Sequence, residues 1–93
     1  MLVDLIEARP LDNHRVYLRF EDGLEGALDL GAYLSFRGIF APLRDPECFR
    51  KLRVDPTLGT ICWPNGADVA PETLYSWLKK TLEEYEKTQP ASA

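Results

Sequence analysis

Residues 14–30 constrain the fold more than any other stretch. Val16, Leu18 and Phe20 alternate with Arg15, Tyr17, Arg19 and Glu21, and a period of two sends successive side chains to opposite faces of a strand. Asp22-Gly23 follows, and then Leu24, Leu28 and Leu30 fall on one face with Glu25 and Asp29 on the other. Asp-Gly between two such runs predicts a hairpin with a type I′ turn, which needs positive φ at both central positions. Gly26 lies on the apolar face, where its missing side chain leaves room for a bulky neighbour from the next strand. A hairpin with one wet and one apolar face has to be covered by another element.

The cover comes last in the chain. Pro71 suits the first position of a helix, and Glu72 faces the positive end of its dipole. Leu74, Trp77, Leu78, Leu82 and Tyr85 share one helical face over residues 71–86, with Glu83, Glu84 and Glu86 on the far side. Before the hairpin, residues 2–9 predict a strand burying Val3, Leu5 and Ile6, and Pro10, Asp12 and Asn13 predict a turn. After it, residues 30–36 predict a short helical turn that Arg37-Gly38 breaks. An apolar connector, 39–43, contains Pro42. Asp45-Pro46-Glu47 then supplies a cap, a first-turn proline and a first-turn acid for a short helix, 46–51, that buries Phe49, with Leu52 packed behind it. Strands 51–55 and 60–63 join through Pro56-Thr57-Leu58-Gly59, and Trp63 to Asp68 form a loop. The class is α+β: a small antiparallel sheet, hairpin 14–30 plus further strands, covered by a C-terminal helix. The chain, 93 residues long, predicts one domain over 1–88 with a frayed tail at 89–93.

Composition narrows the function classes. Apolar residues are 45% of the chain, enough for one core, and no apolar run approaches the roughly 18 residues of a membrane span. The N-terminus lacks the basic and apolar regions of a signal peptide, so the expected location is the cytoplasm and no membrane partner is expected. Cys48 and Cys62 match no zinc or redox spacing and predict free thiols in a reducing compartment. His14, the lone histidine, stands beside a turn, where a solvated surface position is expected. The glycines of Asp22-Gly23-Leu24-Glu25-Gly26 lie in a hairpin, so they make no phosphate loop. Ser35 and Ser76 lack the turn of a nucleophile elbow. Asp22, Asp29 and Asp68 stand near turns and predict bonds to local backbone N–H groups. No catalytic residues, metal ligands or cofactor are expected; an enzyme needs a set of groups absent from this pattern.

The net charge of −4 argues against indiscriminate nucleic-acid binding. It conceals a basic island. Residues 37–53 hold Arg37, Arg44, Arg50, Lys51 and Arg53 against Asp45 and Glu47, a local +3, whereas 1–36 carry −4 and 54–93 carry −3. The island interleaves with Phe36, Phe40 and Phe49. Three readings stay open: a solvated face over buried phenylalanines, a protein interface for an acidic partner, and an RNA or single-stranded DNA site. Trp63 either plugs the core against the last helix or stands out as an interface anchor. A third candidate is a small-ligand site under loop 63–70, near Asp68 and lined by Trp63 and Tyr75. The candidate binding residues are therefore Arg37, Arg44, Arg50, Arg53, Trp63, Asp68 and Tyr75.

Several segments in order carry a resemblance. They are Arg15-Val16-Tyr17-Leu18-Arg19-Phe20, Asp22 through Leu30, Gly38-Ile39-Phe40-Ala41-Pro42-Leu43-Arg44-Asp45 with Phe49 beyond, and Ile61-Cys62-Trp63-Pro64-Asn65-Gly66-Ala67-Asp68-Val69-Ala70-Pro71-Glu72 before Leu74-Tyr75. Together, over residues 1–76, they resemble the bacterial domain of unknown function numbered 2442. The resemblance implies a small antiparallel sheet with helices in a bacterial cytoplasm. It implies no activity. Some members carry a helix-turn-helix domain after this module; no such domain lies within these residues, so DNA reading by that route is not expected. Members also sit beside a second small gene, as antitoxins do. The expectation is a non-catalytic binding or regulatory module that acts on a small protein partner and is antitoxin-like. Nucleic-acid binding through the island ranks behind it, and a homo-oligomer is plausible because a small sheet leaves edges open.

Overall fold

The structure is a computed structural model that describes residues 3–88. Strand β1 (Leu5–Pro10), β2 (Arg15–Phe20) and β3 (Glu25–Asp29) form a three-stranded antiparallel sheet in that order. A single 3₁₀ turn (Leu30–Ala32), a longer 3₁₀ helix (Gly38–Arg44) and helix α1 (Pro46–Phe49) lead to strands β4 (Arg53–Asp55) and β5 (Thr60–Cys62). These last two strands make a separate two-stranded sheet, and helix α2 (Pro71–Thr88) closes the domain. The fold is α+β, as the patterning requires. The strands divide into two sheets instead of joining one. Leu5 N donates to Gly59 O at 2.9 Å, so the small sheet meets the large one at the tip of its hairpin.

The two-residue alternation holds. Val16, Leu18 and Phe20 are buried on one face of β2, with Leu28 of β3 beside Val16 in register. The opposite face is a wet ladder. Arg19 pairs with Glu7 at 3.1 Å, Tyr17 donates to Glu25 at 3.0 Å, and the Arg9 guanidinium lies 4.5 Å from the Tyr17 ring centre. The turn between β2 and β3 departs from expectation, and on β1 Ile6, expected to be buried, is 47% exposed. Among the described non-glycine residues positive φ occurs at Asn13 alone, so Asp22 has negative φ, which rules out type I′. Instead Gly23 N donates to Phe20 O (3.0 Å) and Phe20 N to Leu24 O (2.8 Å), a three-residue loop with Gly23 at φ 95°. This loop twists the strands as the sheet demands while asking only one residue to take positive φ. Asp22 Oδ1 accepts Leu24 N at 3.0 Å and fixes it.

The same device recurs at the other end of the molecule. Gly66 N donates to Trp63 O and Trp63 N to Ala67 O, both at 2.9 Å, around Pro64-Asn65-Gly66. Asn65 Oδ1 accepts Ala67 N at 3.1 Å, as Asp22 accepts Leu24 N. Asp45 caps α1 by accepting Glu47 N at 3.0 Å, and Pro46 follows in the first turn, both as expected. The connector 39–43, expected as irregular chain, is instead the body of the 3₁₀ helix Gly38–Arg44. Pro42 is tolerated there because a short 3₁₀ run needs few N–H donors.

Helix α2 buries Leu74 and Leu78 against the sheet. The space left by Gly26 is filled by this helix and not by a neighbouring strand: a Cβ there would lie 3.3 Å from Leu78 Cδ1. Trp77 stacks on Tyr33 with ring centres 4.7 Å apart. Tyr85, expected on the buried face, is 61% exposed because the helix runs past the sheet it covers. The expected tail, 89–93, lies outside the described residues.

Candidate functional site

The basic island lies on one contiguous part of the chain: the 3₁₀ helix, α1 and the start of β4. Arg37, Arg44, Arg50, Lys51 and Arg53 are all exposed. Among the described residues none of these five cations forms an ion pair. The three ion pairs found there join Arg9 and Arg19 to Glu7, and Arg15 to Asp12. Two island arginines bond backbone carbonyls instead. Arg44 Nη2 donates to Phe36 O at 3.3 Å, and Arg50 Nη1 reaches across to Leu11 O at 3.0 Å. The aromatic rings among these cations turn inward: Phe49 and Trp63 are buried, and Phe36 and Phe40 are half-buried.

His14 holds this segment to the hairpin. It is half-buried, its Nε2 lies 2.9 Å from Leu43 O and 3.0 Å from Arg44 O, and its ring sits against Phe36 (4.8 Å) and Phe49 (5.1 Å). Both Nε2 neighbours are carbonyl oxygens, so Nε2 carries the hydrogen and donates. The expectation of a solvated histidine is corrected by this geometry. Backbone carbonyls close to 30 positions away leave no trace in the sequence around residue 14.

Trp63 is 2% exposed, which settles its two readings in favour of the core. Its Nε1 donates to Phe49 O at 3.0 Å, and its ring meets Phe49 (5.7 Å) and Phe40 (6.3 Å). Trp63 nevertheless helps to line an open notch of about 160 Å³, together with Pro42, Leu43, Cys48, Lys51, Pro64 and Asn65. Asn65 Nδ2 donates to Ile39 O at 2.9 Å and so ties the loop to the 3₁₀ helix that forms the other wall.

Tyr75 does not line this notch. Its hydroxyl donates to Asp22 Oδ2 at 2.7 Å and its ring packs edge-on against Phe20 at 5.1 Å. Asp22 is held below the usual carboxylate range, first by the Tyr75 hydroxyl and then by Leu24 N. The Tyr75 hydroxyl is pushed up, chiefly by the same bond. The pair pins the hairpin loop to α2. Trp63 and Tyr75 therefore do not share this notch: Trp63 packs on Phe49 and Phe40, and Tyr75 on Phe20 and Asp22. Asp68 is exposed and opposes Cys62 in an isolated β-bridge. Cys48, Lys51 and Asn65 are notch residues outside the candidate set drawn from the sequence. Cys48 and Cys62 are free thiols. Among the described residues no group of three or more His, Cys, Asp or Glu could hold a metal ion, and no helix is long and apolar enough to cross a membrane.

The fold and this surface define a small α+β module with an exposed basic segment, 37–53, whose Lys51 helps to line an apolar notch. The family model described as "Protein of unknown function (DUF2442)" matches residues 5–80, and the chain belongs to that family. The crystal structure of a Nitrosomonas europaea protein named as a candidate DNA-binding protein superposes with a TM-score of 0.76 at 22% identity. The match covers 89% of this chain and 53% of that one, so this chain spans about half the length of that protein. At this identity the likeness shows the fold alone. No curated protein matches the chain.

Proposed function

We propose that this chain is a non-catalytic binding and regulatory module of the cytoplasm, antitoxin-like in that it acts by holding a small protein partner, and that the partner sits on the basic face of residues 37–53. One observation carries the reading. All five island cations lie exposed without an ion pair among the described residues, as do Lys79 and Lys80 of α2, while Arg9, Arg15 and Arg19 of the three-stranded sheet each hold a carboxylate. In a chain of net charge −4, five unpaired cations gathered within residues 37–53 favour an acidic partner.

The notch supports a protein over a metabolite. Its volume of about 160 Å³ is below the roughly 300–1,000 Å³ typical of small-molecule sites. Nucleic acid is the second reading, favoured by the fold shared with a candidate DNA-binding protein. It has less support, because single-strand binders stack bases on exposed rings, and the rings of this face are buried or half-buried. Affinity copurification from the native host, with and without nuclease, separates the two. A stoichiometric small protein that survives nuclease is expected. Nucleic acid alone, lost on nuclease treatment, would move the function to the second reading.

A further inference from the structure

We infer that the notch beside Trp63 receives one apolar side chain from an acidic segment of the partner, so that the contact consists of an aliphatic anchor flanked by carboxylates. This inference rests on the basic face being a protein-binding surface and adds the chemistry of what binds there.

The walls decide the occupant. Pro42, Leu43, Cys48, Trp63 and Pro64 present apolar surface. Of the two polar residues, Asn65 has both ends of its amide engaged, Nδ2 on Ile39 O and Oδ1 on Ala67 N. The indole N–H is engaged by Phe49 O. Lys51 remains as the polar side chain that can face a ligand. Lys51 supplies a cation, and the carboxylate at the Cys48 wall, Asp45 Oδ2, is already engaged by the Cys48 thiol at 3.9 Å, so an apolar side chain with a carboxylate beside it suits these walls better than a polar metabolite. Ile39, 49% exposed on the same 3₁₀ helix, extends the apolar surface beyond the rim.

The notch is also rigid. Two proline rings and a hydrogen-bonded, buried indole form much of it, so little ordering accompanies binding. An anchor side chain in a preformed pocket, surrounded by weaker contacts, is how small protein interfaces concentrate their affinity. The charge of the surroundings fixes the flanks. Arg44 ends the 3₁₀ helix that supplies Pro42 and Leu43, Arg50 follows the helix that supplies Cys48, and Arg53 opposes Cys62, the neighbour of Trp63; with Lys51 these cations outnumber the nearby acids, Asp45 at the Cys48 thiol and Asp68 opposite Cys62.

The test titrates the full ¹⁵N-labelled chain with synthetic peptides. One carries a central Leu between Glu and Asp residues, a second has that Leu replaced by Ala, and a third keeps Leu between Lys residues. A single-stranded oligodeoxynucleotide is the fourth probe. The acidic Leu peptide is expected to move the amide signals of Cys48, Lys51 and Asn65 and the Trp63 indole N–H signal. The Ala peptide is expected to bind about 10–100-fold more weakly, the equivalent of losing a buried leucine side chain. The Lys-flanked peptide is expected not to bind. Lys51→Glu should weaken the acidic Leu peptide about 2–10-fold. Cys48→Phe, which fills the notch from its wall, should remove the preference for Leu over Ala; thermal melts confirm that both variants fold. Equal binding of the Leu and Ala peptides would overturn the anchor and leave the basic-face reading standing. Shifts with the oligonucleotide alone, or with no probe at millimolar concentration, would overturn both.

Discussion

Replacing Trp63 separates a core residue from a surface one. Trp63 is 2% exposed, bonded through Nε1 to Phe49 O at 3.0 Å, and in contact with the rings of Phe49 and Phe40. Truncating a buried tryptophan to alanine costs about 3–5 kcal/mol, through lost burial and the cavity left behind. A domain of this size has roughly 5–14 kcal/mol of total stability, so Trp63→Ala should consume a large share of it. Trp63→Phe keeps most of the volume and removes one hydrogen bond. Phe49 O also accepts Leu52 N at 3.2 Å, so that carbonyl is not left unsatisfied. The loss should be about 1 kcal/mol, which lowers the melting temperature by about 4–8 °C. Urea unfolding followed by far-ultraviolet circular dichroism measures both variants without relying on tryptophan emission. A loss below about 0.5 kcal/mol for Trp63→Ala is what exposed positions show, and would refute the placement of the indole in the core.

Three other substitutions probe the framework. Gly59 has φ 67°, its O accepts Leu5 N across the two sheets, and a Cβ there would come within 2.8 Å of Asp4 Cγ. Gly59→Ala should cost about 1–2 kcal/mol, most of it from the backbone; chemical denaturation of Gly59→Ala with and without Asp4→Ala checks this, and full rescue by the second change would place the cost in the clash instead. Asp45→Ala removes the α1 cap and should cost about 1 kcal/mol by the same measurement. Tyr75→Phe removes the bond that lowers Asp22 and raises Tyr75. A lowered acid contributes stability that is present above its unfolded pKa and lost as pH falls through the folded value; a raised tyrosine contributes stability that is present below its unfolded pKa and lost as pH rises through the folded one. The bond therefore acts between the acid and alkaline limits, and NMR titration of Asp22 in Tyr75→Phe should show its pKa rising towards the ordinary carboxylate value.

What could be read from the chain followed the range of each interaction. The alternation in Arg15–Phe20, the cap at Asp45-Pro46 and the helical face of Leu74 and Leu78 are local patterns, and all three stand in the structure. The hairpin was legible at Asp22-Gly23 but its turn was not, because the same dipeptide serves a loop that needs positive φ at Gly23 only. The 3₁₀ helix Gly38–Arg44 escaped detection because Pro42 reads as a break and a 3₁₀ run lacks the 3.6-residue period. Tyr85 has the spacing of a core residue, but the helix outruns the sheet. Gly26 was legible as a close approach, though the partner proved to be α2. The notch was the least legible feature. It forms where residues near 42, 48 and 64 converge, and its walls are fixed by bonds from His14, Asn65 and Trp63 to backbone carbonyls, which every residue possesses. The cations of the island could be counted from the sequence. Which of them serve the fold could not, and Arg44 and Arg50 each hold a distant carbonyl.

That distinction selects the most direct test of the central claim. Lys51 and Arg53 are exposed, and neither side chain is among those holding the backbone. Lys51→Glu with Arg53→Glu should therefore leave the melting temperature nearly unchanged while reversing charge on the proposed contact face. Copurification of this double variant beside the unaltered chain, both treated with nuclease, is the measurement. The account predicts one stoichiometric small protein on the unaltered chain and its loss from the variant. The same protein retained in full by the variant would contradict it.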